Sequence, residues 1–76
     1  MTDPKQTAMA AYGFAEWPGT HIRTRSATDA RASAAVMMRN QGFGGTAIAK
    51  EVGYSDKESA CGSIRNYIKR MERETT

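Results

Sequence analysis

Two glycines, Gly42 and Gly53, divide the second half of this chain more sharply than any other feature in it. Each follows a helical apolar pattern, and glycine is the residue that takes the left-handed backbone on which helices commonly stop. What lies between them is therefore one short helix, Thr46 to Val52, with Ile48 and Val52 four apart and stacked on one side. Such a helix is too short to stand alone, so it has to pack against what precedes and follows it.

The segment before Gly42 reads as a helix from residue 27 onward. Thr28 or Ser26 caps its start, Asp29 falls in its first turn, and Ala30, Ala34, Met37 and Met38 run along one stripe. Phe43 is placed to fold back as the apolar contact of a Schellman stop. After Gly53, the run Ser55-Asp56-Lys57-Glu58 reads as a capping box, with Ser55 satisfying a first-turn donor and Glu58 reaching back. A third helix is expected from about 56 to about 72. On a helical wheel Ala60, Ile64, Tyr67, Ile68 and Met71 share one side with Cys61 at its margin, opposite Glu58, Gly62, Arg65, Lys69 and Arg73.

The first 26 residues are patterned more weakly. Residues 1–10, with Pro4, read as a flexible leader that adds little to the core. Two short segments around Trp17-Pro18-Gly19 read as a β-hairpin over residues 11–25 or as an extended arm reaching 26, with His21, Arg23 and Arg25 on one face and Ile22 and Thr24 on the other. The expected architecture is mainly α, a three-helix domain over 27–72 with a polar tail at 73–76.

A chain of 76 residues makes one domain with a small core, 39% hydrophobic and 25% charged. The net charge of +3 is compatible with nucleic acid but does not select it. Cys61 stands alone, so no internal disulfide forms, and with His21 as the sole histidine no zinc-ligand spacing exists. There is no signal-peptide pattern and no bilayer-length apolar run, so a cytoplasmic protein with no membrane partner is expected.

A short helix, a tight turn and a longer helix with a polar outer face describe a helix-turn-helix, whose second helix lies in the major groove of DNA. Ala49 is small where the two helices cross, and Gly53 lets the chain turn. The run Ile48-Ala49-Lys50-Glu51-Val52-Gly53-Tyr54-Ser55-Asp56 resembles the second helix-turn-helix of AraC-type transcription regulators, whose pattern reads roughly I-A-x-x-V-G-F-S-D and then F-x-x-x-F before basic residues. Met37 and Met38 fall where that family has paired leucines, and the likeness covers about residues 30–70, with Ala60 and Ile64 in place of the two aromatics. The Gly-Tyr-Ser junction is also similar, over fewer residues, to the DNA-binding part of phage terminase small subunits. These likenesses imply the motif and double-stranded DNA as a partner.

Within that geometry Lys57, Glu58 and Ser59 meet base edges, Gly62 permits close approach one turn later, and Arg65 and Asn66 reach a base or a phosphate. Lys69, Arg70 and Arg73 neutralise phosphates, and Arg23 and Arg25 enter a neighbouring minor groove if the arm exists. The blander reading of the same stripe is a solvated helix end, since Glu72 and Glu74 alternate with the cations. Cys61 reads as packing, His21 as a strand surface residue, and Met37, Met38 and Met71 as core filler.

Tyr12, Phe14 and Trp17 pack over the helices or, if exposed, form a protein interface. No paired carboxylate, nucleophile with a histidine base, or phosphate loop survives inspection; GFGG at 42–45 lacks a preceding strand and a following lysine. No enzyme and no cofactor are expected. The leading expectation is a DNA-binding regulator or architectural factor of a bacterium or mobile element, dimeric because one short recognition helix gives little affinity alone. The alternative is a phage- or plasmid-type inhibitor, anti-CRISPR-like or anti-restriction-like, that grips a host nucleoprotein complex through protein contacts.

Overall fold

The computed structural model describes residues 3–19, 22 and 24–75, and these are mainly α-helical. Four helices follow in chain order: α1 (Pro4–Tyr12), α2 (Arg25–Asn40), α3 (Gly45–Val52) and α4 (Lys57–Thr75). α2 is the hub, with α1, α3 and α4 all packed on it and α3 also packed on α4. Among the described residues no helix is long and apolar enough to cross a membrane.

α2 is a hub because its buried face is alanine. Ala27, Ala30, Ala34 and Ala35 have no exposed surface, and Met38 closes the same stripe. Alanine is the best helix former and carries the smallest apolar side chain, so it favours the helix and lets three neighbours approach its axis. Ala8, Ile48, Ala49, Val52, Ala60 and Ile64 complete the core from the other helices.

Both glycine stops behave as the sequence implies. Gly42 (φ 97°) and Gly53 (φ 106°) take the left-handed conformation. The Phe43 N–H donates to Met38 O (3.1 Å) and the Gly42 N–H to Arg39 O (3.0 Å), which is the bond pair of a Schellman motif. Phe43 itself, however, stays 46% exposed.

The helix starts differ from expectation. α2 begins at Arg25, two residues early, because Thr24 Oγ1 accepts from the Ala27 N–H (3.2 Å); neither Ser26 nor Thr28 is its cap. α4 is capped by Asp56, not by a Ser55–Glu58 box: the Ser59 N–H donates to Asp56 Oδ1 at 2.7 Å. A carboxylate at this position meets the positive end of the helix dipole as well as the free N–H groups. Those bonds, first from the Ser59 backbone and then from its hydroxyl, hold the Asp56 carboxyl below its ordinary value of 3.8. A depressed native pKa means stability that is complete above 3.8 and lost as the pH falls through the lower native value. Asp56→Ala is therefore expected to lower the melting midpoint near neutral pH. The gap from wild type should close in acid, where the protonated carboxyl has lost the same interaction; circular-dichroism melts across that range check it.

The N-terminal region is corrected most. Residues 4–12 form helix α1 instead of a flexible leader, with Asp3 as N-cap (Lys5 N–H to Oδ1, 3.0 Å), Pro4 in the first turn and Gly13 (φ 76°) at the end. Ala8 is fully buried. No strand occurs among the described residues, so the hairpin over 11–25 is not formed there: Ala11 and Tyr12 belong to α1, and Arg25 to α2. The reason is tertiary. The Tyr12 hydroxyl meets that of Tyr67 at 3.2 Å, tying α1 to α4, and this bond, with burial behind it, pushes the Tyr12 phenol up to about 12. Trp17 Nε1 donates to Val52 O (2.9 Å), so the chain after α1 covers the C-terminal end of α3. Pro18 is buried beside it, and Arg31 Nη1 holds Gly19 O at 2.8 Å. His21 and Arg23 lie outside the described residues.

Candidate functional site

The surface of α4 inherits its character from what α3 can cover. α3 has 8 residues and α4 has 19, so α3 packs against only part of α4. Ala60 and Ile64 lie under that cover and are buried, while Ile68, one turn further, is 36% exposed. The sequence wheel puts Ile64 and Ile68 on the same apolar side; the short partner helix separates them.

Lys57, Glu58, Ser59, Arg65, Asn66, Lys69 and Arg73 are all exposed, as a groove-reading face requires. At Gly62 an added Cβ would touch nothing, so the face is open there without any internal contact demanding glycine. A glycine constrained by packing is Gly45, which sequence reasoning passed over as part of a failed phosphate loop. A Cβ on it would lie 2.8 Å from Lys57 Cγ and 3.4 Å from Cys61 Sγ. Gly45 thus lets the start of α3 lie against the first turns of α4 and seats the Lys57 stem at the junction. The signal was the Gly44-Gly45 pair at an uncapped helix start.

Two assigned cations also make ion pairs within the fold. Arg70 is paired through Nη2 with Asp29 Oδ1 and lies over the Tyr67 ring at 5.6 Å, so it ties α4 to α2 instead of facing outward as a phosphate neutraliser. Arg25, assigned to an arm, sits in the first turn of α2, 3.6 Å from Glu74 and 4.0 Å from Asp29. The helix continuing to Thr75 is what brings Glu74 there, so residues 73–75 of the polar tail belong to α4.

The aromatic set is spent internally. Tyr12, Phe14 and Trp17 are packed against the core cluster, and Trp17 also carries Lys5 over its ring at 5.4 Å. Among the described residues the exposed large apolar side chains are Ile22, Phe43 and Ile68.

Ion pairs engage part of the charge: Asp29 with Arg70 and Arg25, Glu74 with Arg25, and Glu51 with Lys5 at 4.0 Å. Among the described residues no ion pair engages Arg39, Lys57, Arg65 or Lys69. Arg39, Arg65 and Lys69 line an open groove of about 670 Å³ between the C-terminal end of α2, the start of α3 and the length of α4; Glu72 is the carboxylate on its wall, and Phe43 and Ile68 lie within it. No family model matches this chain, and no curated protein and no solved structure matches it either.

Proposed function

We propose that this chain binds double-stranded DNA, with α3, the turn over residues 53–56 and α4 acting as a helix-turn-helix and α4 as the helix that enters the major groove. The observation that carries this reading is a set of exposed cations without ion pairs. Among the described residues Arg39, Lys57, Arg65 and Lys69 enter no ion pair and stand exposed on and beside α4. A phosphate backbone is the polyanion such a surface suits, and it rewards each neutralised phosphate by counterion release.

The roles follow from position. Lys57, Glu58 and Ser59 occupy the first turn of α4, where base edges are met, and the bare surface at Gly62 lets a backbone come close. Arg65 and Asn66 reach a base or a phosphate, and Lys69 with Arg39 holds phosphates at the flank. A single helix of this kind reads few base pairs, so the active species in this proposal is a dimer, serving as a transcriptional regulator or an architectural factor.

Arg65→Ala combined with Lys69→Ala is expected to weaken binding to random duplex DNA about tenfold or more at low salt, and to lower the slope of log affinity against log salt by about 2. Fluorescence anisotropy across a salt series reads both quantities. Negligible affinity of the wild type at low salt, or an unchanged slope in the double variant, overturns the proposal.

A further inference from the structure

We propose that the groove between the C-terminal end of α2 and the length of α4 is a docking site for an acidic amphipathic helix of a partner protein. Its floor is apolar. Phe43 and Ile68, 46% and 36% exposed, face into it beside the exposed Cys61, with the buried Ile48 and Ile64 closing the bottom. Its rim carries three cations, Arg39, Arg65 and Lys69, against one carboxylate, Glu72. An apolar strip bordered by an excess of one sign of charge selects a ligand with apolar anchors and the opposite sign beside them.

Two other occupants fit less well. A second copy of this chain, packed about a two-fold axis, would set the same three cations against themselves. A phosphate backbone would satisfy the rim but leave Phe43 and Ile68 facing a hydrated polyanion, which gains nothing from them. From Cys61 to Glu72 the groove follows about 16 Å of helix axis, length for about three turns of a docked helix. Such a helix places anchors at i, i+3, i+4 and i+7 on one face, which matches an apolar strip of this kind. The docked carboxylates would meet Arg65 and Lys69, so this partner and DNA would exclude one another. The docking itself does not depend on the DNA reading.

The test uses the full chain, isotope-labelled, and a synthetic peptide of about 15 residues built from Ala, Glu and Leu with leucines at i, i+3, i+4 and i+7. The expected result is binding that shifts the amide signals of Phe43, Cys61, Arg65 and Ile68. Phe43→Ser with Ile68→Ser should weaken it about tenfold or more while duplex DNA affinity stays within about twofold. Both side chains are partly exposed, so a melt confirms that this variant folds. Equal binding of a peptide with serines for the leucines reduces the groove to a generic cationic surface and overturns the proposal. Equal binding of a peptide with lysines for the glutamates overturns it as well. So does a wild-type dimer that the double serine variant dissociates, because the groove is then occupied by a second copy, and so does loss of DNA affinity in that variant.

Discussion

Ile64→Ala is expected to cost about 3 kcal/mol, a larger loss than at Asp29 or Ile68. Ile64 is 2% exposed and belongs to the core that α2, α3 and α4 share. Removing its branched end leaves a cavity in a close-packed core that relaxes only partly to fill it. A domain of this size has only about 4–11 kcal/mol to lose, so one such cavity removes a large share of it. Urea denaturation should show a lower midpoint with an unchanged slope. Ile68→Ala, the same change one turn along the helix, should cost under about 1 kcal/mol because Ile68 is more than a third exposed. Equal costs at the two positions would mean that α3 covers both.

The second large effect is expected at Asp29. Asp29→Ala should destabilise by about 2 kcal/mol, because it removes the acceptor of Arg70 and leaves a half-buried guanidinium without its carboxylate. The figure stays below that for a fully buried pair, since the Arg70 side chain is 33% exposed and solvent screens what is left. Arg70→Met should cost less than Asp29→Ala. It also removes the buried Arg70 Nε, which has no hydrogen-bond partner, and Arg25 continues to face Asp29 at 4.0 Å. The double variant should recover part of the Asp29→Ala loss, because the penalty lies in the orphaned charge more than in the missing attraction. A double-mutant cycle by urea denaturation measures this coupling. Arg70→Met should leave the salt slope of DNA binding unchanged, whereas Arg65→Ala lowers it by about 1.

The legible parts of this molecule are those governed by neighbours in the chain. The left-handed stops at Gly42 and Gly53 follow from glycine itself, and the alternation of apolar and charged sides along α4 follows from helical period. The starts of α2, α3 and α4 were legible to within one or two residues. Ser26, Thr28 and Thr24 compete for one end, and Ser55 and Asp56 for the other, with local free energies too similar for spacing alone to choose.

Long-range features were not legible. α1 has little apolar periodicity of its own and is held by Tyr12 on Tyr67, Trp17 on Val52 and Lys5 on Glu51. Arg70 looks like any cation of the outer stripe until Asp29, 41 positions away, is placed beside it. The candidate site divides the same way. Arg65 and Lys69 could be named from the helical wheel, but Arg39 and Phe43 join them only because α2 ends where α4 passes.

The sequence by itself determined where the helices of the second half stop, which side of each is apolar, and that the chain is mainly α, because turn chemistry and periodicity act over a few residues. Only the tertiary structure decided that residues 4–12 fold onto α2, which cations are neutralised, and that Ile64 is core while Ile68 is surface. Each of these depends on side chains far apart in the chain and on the length of α3, and no local preference encodes such a relation.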